Sequence, residues 1–349
     1  MNSLVFSQES ENNTMKPENK QTKFFIYKLP AAILFLAGMF LISLVFGAAD
    51  ISLKDVWLTF TSHAESKNIS ILRELRLPRE IAAIFVGAAL SIAGAIMQGI
   101  TRNPLADPGL LGLTSGANSA LAFTIALIPS VNYYGITISC FIGAAVGTIL
   151  VLGIGTIRKN NFSFRIVLAG AAVSTFLNAI SEGLGIYFKI SKDVSMWTAG
   201  GIMGTSWKQL EFILPFIVFG ILISLLLSRQ LTILSLSEEV AIGLGQKTLQ
   251  IKIILFIVII LLAGASVSLA GNMVFIGLMI PHLVRVIVGT DYRFVIPMSG
   301  ILGAAFMLLA DTLGRTVNSP YETPVAAIVA MLGLPFFLFI VNKGGKMYS

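Results

Sequence analysis

A chain of 349 residues that is 56% hydrophobic and only 12% charged, with a mean hydropathy of +0.87, exceeds what the surface of a soluble domain tolerates; it reads as a polytopic membrane protein. The net charge of +7 has a membrane explanation in basic cytoplasmic loops, so nucleic acid need not be invoked. Cys140 is the lone cysteine and His63 and His282 are far apart, which leaves no disulfide framework, no metal-ligand spacing and no expected cofactor.

A span needs about 20 mostly apolar residues, and the chain offers about ten such runs. The expectation is an all-α polytopic fold with a disordered cytoplasmic tail at residues 1–28 and one ten-helix membrane domain at 29–349. The first run, 29–49, is longer than a signal-peptide core of about 7–15 residues and is read as a retained span. Next comes RELRLPRE, whose Arg73, Arg76 and Arg79 recur every three residues, so that a helical turn would group them, with Pro78 interrupting it. Either interfacial snorkelling or a cationic patch facing an acidic soluble partner fits these arginines. In the second run, 81–100, Gly87, Ser91, Ala95 and Gly99 are spaced by four, which lets another helix approach closely in lipid. The loop TRNPLADPG at 101–109 contains two prolines and is expected to be a rigid cytoplasmic turn.

Runs three (110–127) and four (135–157) bracket a short outside turn. Run five carries Gly170, Ser174, Asn178 and Glu182 every four residues, giving one small and polar helical face. Such a face lines a helix interface or a water-filled path, and the path is the preferred reading. Residues 191–210 are too polar to span and, with Trp197 and Trp207, suit the outer rim or a short half-helix. After run six (212–228) comes SLSEEVAIGLGQKTLQ, residues 235–250. Ser235 with Glu238 fits a capping box, Glu238 and Glu239 suit a helix N-terminus, Val240 and Leu244 share a face, and Gly243 and Gly245 end the helix. A short helix at the membrane surface is expected, either as an ordinary connection or as a docking element for a soluble partner. Runs seven (251–270) and eight (271–289) follow, the latter with His282 expected to be packed and hydrogen-bonded beside the Pro281 kink. Run nine ends at Asp311, an outside loop carries Arg315 and Glu322, and run ten covers 325–341.

With both termini cytoplasmic, most of the Lys and Arg, including Arg102, Arg158, Lys159, Arg165, Arg229, Lys247, Lys252, Arg293, Lys343 and Lys346, fall inside. A weak echo of SIAG at 91–94 in SLAG at 268–271, with five spans per half, permits two inverted five-helix halves.

The ordered blocks RLPREIAAIFVGAALSIAGAIMQGITRNPLADPGLLGLTSGA, SEEVAIGLG, FIGLMIPHLVR with TDYR, LLAD and TPVAAIVAMLGLPFF cover nearly everything after residue 29. Together they resemble the membrane-spanning subunits of type II bacterial ABC importers, the FecCD-like family of iron–siderophore and cobalamin permeases. The resemblance implies a cell-membrane permease with no enzymatic site of its own, paired with a second permease subunit, two cytoplasmic ATPases and an extracytoplasmic binding lipoprotein that delivers an iron–siderophore complex. It assigns ATPase coupling to Glu238, Glu239, Val240, Ala241, Ile242, Gly243, Leu244 and Gly245, and binding-protein docking to Arg76, Arg79 and Arg315. The inner gate falls on Asn103 and Leu105, with Ser163 and Phe164 in a loop that departs from the cobalamin members. Gly170, Ser174, Asn178 and Glu182 complete the expected path. Cobalamin or haem is the alternative cargo. An ion-coupled secondary transporter is the alternative class, disfavoured because Glu182 and Asp311 lie near span ends. There is no GxxxxGK[ST] loop, GLGQKT at 243–248 being misspaced, so nucleotide must bind elsewhere.

Overall fold

The computed structural model describes residues 17–47, 51–62, 66–155, 162–319 and 321–344, and every regular element among them is helical. Hydrocarbon offers no hydrogen-bond partner to a bare peptide group, and a helix satisfies its own. In chain order the helices are α1 (Pro17–Val45), α2 (Leu53–Thr61), α3 (Lys67–Ile71), α4 (Leu77–Thr101), α5 (Leu113–Leu127), α6 (Tyr133–Gly155), α7 (Phe162–Tyr187), α8 (Ser191–Thr198), α9 (Trp207–Leu226), α10 (Ser228–Leu236), α11 (Glu238–Gly243), α12 (Thr248–Ala270), α13 (Ile276–Val288), α14 (Tyr292–Thr316) and α15 (Val325–Gly344). Seven are long and apolar enough to cross a membrane; the shorter α5, α13 and the apolar part of α15 complete the ten expected runs. Helix α1 begins at Pro17, so residues 17–28 are helical where a disordered tail was expected. The apolar Phe25 explains part of this, because its ring packs against Phe294 at a tilt of 42°, and Lys28 Nζ donates to the Ile287 carbonyl at 2.5 Å. Residues 1–16 lie outside the described residues.

Helix α4 is the axis of the bundle. It packs on α14, α12, α13, α9 and α10, and almost all of its residues from Val86 to Thr101 are buried. Its small residues set the distance of approach. A Cβ on Gly87 would sit 2.3 Å from the Gly303 carbonyl oxygen, and one on Gly94 would sit 1.8 Å from that of Gly277. Ser91 likewise fills the space that a side chain at Gly303 would need. Glycine is required here for proximity, as the four-residue spacing predicts for close helix crossings in lipid.

The packing pattern exchanges the two halves. Helix α14 packs on α4 as α6 packs on α12, α13 on α4 as α5 on α12, and α13 on α14 as α5 on α6. Helix α15 meets α13 and α14 as α7 meets α5 and α6, while α4 and α12 touch at the centre. An odd number of spans per half makes the two copies antiparallel across the membrane. The first helices break the pattern, since α1 lies on α14 whereas α9 lies on α12. The SIAG/SLAG echo is not the trace of this repeat: Ser91 is in the middle of α4, but Ser268 is in the last turn of α12.

Gly94→Val should abolish the monodisperse detergent-solubilised species in size-exclusion chromatography, because the new side chain meets backbone that cannot retreat. Gly38→Ala, where nothing lies within 4 Å, should leave the profile unchanged.

Candidate translocation path and its two rims

At the rim where α4 begins and α14 ends the sequence places an imperfect helix. Pro78 lacks an N–H and crowds the carbonyl four residues earlier, and the turn Leu72–Arg76 widens to a π turn in which Leu77 N donates to Leu72 O. Three-residue spacing through such a turn does not hold one face. Arg73 therefore reaches the carbonyls of Thr59 and Ser62 at the end of α2, Arg76 reaches those of Leu44 and Val45 at the end of α1, and Arg79 turns to α14.

The docking trio consequently departs from the exposed patch that the sequence suggested. Arg76 and Arg315 are 6% and 5% exposed. Arg79 donates to Asp311 from Nη2 at 2.8 Å and to both Glu322 oxygens from Nη1 at 2.9 Å. Arg315 lies 2.5 Å from Glu80 and 2.9 Å from Asp311. A guanidinium leaving water needs counter-charge, and the carboxylates of α4, α14 and the following loop supply it from within the chain. Glu322, with its side chain 30% exposed, is the most accessible carboxylate of this cluster. The cluster borders a cavity of about 390 Å³ that is also lined by Met203, Gly204, Thr205 and Ser206.

The polar stripe of α7 divides between two tasks. A Cβ on Gly170 would lie 1.9 Å from the Leu110 carbonyl oxygen, and Ser115 donates to Ser174 at 3.1 Å, so these two belong to the interface with the 3₁₀ turn Pro108–Leu111 and α5. Asn178 and Glu182 instead line a cavity of about 490 Å³ between α5, α7 and α8. Asn118 and Asn272 line the same cavity, and no sequence pattern singled them out. Apolar run length gave no clue to them; the signal appears only in the helices, α5 and α13 having 15 and 13 residues. Helices α5 and α13 occupy equivalent places in the two halves, and each is preceded by non-α-helical backbone, the 3₁₀ turn and residues 271–275. Interrupted spans at equivalent positions are where transporters build their substrate paths. His282 is buried against Phe336, but its Nδ1 has no partner among the described residues, so the expected hydrogen bond is missing at that atom.

At the opposite rim the capping residue is Ser237 and not Ser235: Ser237 Oγ accepts from Val240 N at 3.0 Å, and Ser235 Oγ donates to Thr232 O. The polypeptide turns at Ser237 between α10 and α11, and only the residue at that turn has the extended conformation of a cap (φ −154°, ψ 158°). Glu238 is paired with Lys252 at 2.8 Å, and this hydrogen bond holds its carboxyl below the usual range. Glu239 is exposed, Ala241 is buried, and Val240, Ile242 and Leu244 are 46%, 59% and 65% exposed. Gly245 has φ +77°, a left-handed conformation suited to glycine just beyond the helix, and Gly243 is the last helical residue. Arg102 Nε donates to Leu234 O and Thr232 Oγ1 to Asp291, so α10 is tied to the ends of α4 and α14, and α11 follows it directly. In the turn after α4, Asn103 Oδ1 accepts from Leu105 N at 2.9 Å, and Leu105 is exposed. Ser163 and Phe164 belong to α7 by backbone, not to a loop, and their side chains lie outside the described residues.

The FecCD transport family matches residues 34–343. The chain belongs to that family. This FecCD chain is 38% identical over 344 residues to the iron(3+)-hydroxamate import system permease protein FhuB of Bacillus subtilis (strain 168), covering 96% of this chain and 90% of the relative. It is 38% identical over 317 residues to the Fe(3+)-citrate import system permease protein YfmD of the same organism, covering 91% and 94%. Among solved structures, a chain described as a metal-chelate type ABC transporter in an inward-facing conformation matches with a TM-score of 0.80 and 27% identity, over 91% of this chain and 99% of that one. The FecCD chain is thus a multi-span membrane permease by family as well as by composition.

Two outcomes test this geometry. Asp311→Asn removes the carboxylate shared by Arg79 and Arg315 and should cost about 3–5 kcal/mol in an SDS-unfolding titration, whereas Glu322→Gln should cost about 1 kcal/mol or less. Asp107, which caps the 3₁₀ turn through Gly109 N at 2.7 Å, is pushed up to about 6 by burial, against the lowering effect of that bond. A carboxyl raised on folding stabilises most below its unfolded value, and that contribution is lost as pH rises through about 6. The unfolding midpoint should therefore fall between about pH 4 and pH 6, and Asp107→Asn should flatten the step.

Proposed function

We propose that this chain is the membrane-spanning permease of an ATP-driven importer that carries iron(III)–siderophore complexes across the cell membrane. It works as one of two permease subunits, with two cytoplasmic ATPases on its inner rim and an extracytoplasmic binding lipoprotein on its outer rim, and with its N- and C-termini in the cytoplasm. The observation that carries this reading is that Val240, Ile242 and Leu244 are left bare on and just after a capped helix that is held to α12 by the Glu238–Lys252 pair and follows directly on α10, which is itself tied to the ends of α4 and α14. Apolar side chains held rigidly at a polar membrane surface suit a protein groove. The names of the relatives, which serve iron-hydroxamate and iron-citrate import, support the cargo.

In this mechanism a movement of the ATPases pushes α11, and the ties from Leu234 to Arg102 and from Thr232 to Asp291 pass the push to α4 and α14. Those two helices also carry the outer ion cluster, so both rims respond as one body. A carboxylate of the binding protein takes the place of Glu322 on Arg79, while Arg76 and Arg315 stay buried and hold the mouth in shape. Cargo then passes Asn178 and Glu182 toward the gate turn of Asn103 and Leu105, which Ser163 and Phe164 complete on α7.

Loss of ATP-dependent uptake of a labelled ferric chelate on deletion of this chain, with its partner proteins present, is the primary expectation; undiminished uptake would sink the reading. The double variant Ile242→Asp, Leu244→Asp should insert normally, as judged by membrane-fraction immunoblot, yet lower uptake at least ~10-fold, the effect of losing on the order of 1.4 kcal/mol of coupling.

A further inference from the structure

A smaller pocket, of about 200 Å³, lies at the rim where α4 ends, between that end, α10, α13 and the start of α14. Arg102 and Arg285 line it together with Gln98, Ser235 and Tyr292, and neither Asp nor Glu does. The chain does not neutralise these two guanidiniums. Arg285 is half-buried in the last turn of an apolar helix, and its side chain has no ion pair or hydrogen bond among the described residues. Arg102 makes one side-chain hydrogen bond, from Nε to the Leu234 carbonyl, which carries no charge. The nearby carboxylates are engaged elsewhere. Asp291 is bonded to Arg293 and Thr232, and Glu238, which feels the charge of Arg102 through space, is bonded to Lys252. Lys28 adds positive charge on the same side, its Nζ donating to the Ile287 carbonyl at 2.5 Å. Gln98 fixes the spacing of the pair. Its Nε2 donates to the Gly277 and Leu278 carbonyls at 3.2 Å, which pins the helix bearing Arg285 to the helix that ends at Arg102. An arginine at a span end can simply reach water beside the headgroups. Snorkelling accounts for one such residue; it does not account for two bordering the same concavity with no acid between them.

We propose that this pocket binds the phosphate of an anionic phospholipid headgroup. A guanidinium presents its N–H donors in a planar fork that matches two phosphate oxygens, and two guanidiniums on one small pocket suit a single phosphodiester. Position favours lipid as the source of that phosphate. Leu283, Val286 and Ile287, which flank Arg285 along α13, are 37%, 74% and 40% exposed, an apolar surface that acyl chains cover while the headgroup turns into the pocket. Basic pockets between spans are where anionic headgroups are held. The bound phosphate neutralises Arg102 and Arg285 together and joins the end of α4 to α13 beside α10. Such a site needs neither cargo nor nucleotide, so it stands apart from the transport reading.

The test titrates the full-length chain, in a mild uncharged detergent, with dioctanoyl phosphatidylglycerol, dioctanoyl phosphatidylcholine and inorganic phosphate, and follows the first bound molecule by native mass spectrometry. Phosphatidylglycerol should bind at least ~10-fold more tightly than phosphatidylcholine. Arg102→Gln and Arg285→Gln should each weaken phosphatidylglycerol binding at least ~10-fold, and Arg285→Lys, which keeps the charge but loses the fork, should weaken it less. Arg229→Gln removes an exposed arginine of α10 that does not line the pocket, and it should leave the affinity within ~2-fold. Arg102 is exposed on the turn after α4, so its variant decides the matter even where Arg285→Gln fails to insert. Equal affinity for the two lipids, equal effects of the three Arg→Gln changes, or unchanged affinity in both pocket variants would each overturn the proposal. Binding of inorganic phosphate that depends on Arg102 and Arg285, with no binding of lipid, would overturn the lipid source and give the site to a free anion. Lipid bound by the chain alone but absent from the assembled importer would overturn it in favour of an acidic side chain of a partner subunit.

Discussion

The structure depends on the near-contact of backbones along α4. In lipid the tails are as apolar as leucine, so helices gain little by hiding apolar surface from one another and associate through close packing. Gly87 and Gly94 bring α4 within reach of the Gly303 and Gly277 carbonyls, and that approach centres α13 and α14 on one axis. The ion cluster at the start of α4 follows from it. Arg79 and Glu80 are on the first turn of α4, Asp311 and Arg315 on the last turns of α14, and they meet because Gly87 and Gly303 have no side chains to hold the two helices apart at the crossing.

The charged cluster and the polar cavity occupy different physical regimes. Around Asp311 and Glu80 the charges are dry and mutually compensated, which makes the cluster a rigid joint among α1, α4, α14 and the loop that carries Glu322. Around Glu182 the carboxylate is exposed and has no basic side chain beside it among the lining residues. A rigid joint suits the transmission of movement, and an uncompensated polar wall suits a surface over which cargo passes. Buried paired charges that fix geometry are distinct from exposed charges that select ligands.

The inverted repeat explains where the cavity falls. Each half contains one span too short to be carried by α-helix alone, α5 in the first and α13 in the second, and in each the missing length is made by irregular backbone. Irregular backbone at membrane depth is tolerated where protein or a water-lined space satisfies it. Asn272 lies in one of these interruptions, Asn118 lies on the helix that follows the other, and the two sides meet across the cavity near α7 and α8.

Apolar run length alone determined the all-helical class and the ten runs, because a span must be about 20 residues of self-satisfied backbone whatever its neighbours. The four-residue spacing of Gly87, Ser91, Ala95 and Gly99 likewise made the tight face of α4 legible, since helical periodicity is a local property. The surface helix at 238–243 was legible from its polarity, but the identity of its cap was not, because Ser235 and Ser237 differ only in where the preceding helix stops. Charge in sequence also misled at Arg76, Arg79 and Arg315. Their basic character suggested an exposed patch, yet Arg79 meets Asp311 and Glu322 and Arg315 meets Glu80 across more than two hundred residues, while Arg76 is held by the carbonyls of Leu44 and Val45, and only tertiary structure makes these contacts. The same reason hid Asn118 and Asn272 and split the α7 stripe between packing and cavity wall. Which face of a polar helix meets protein and which meets a cavity is decided by the neighbouring helices, and no period within α7 records where they stand.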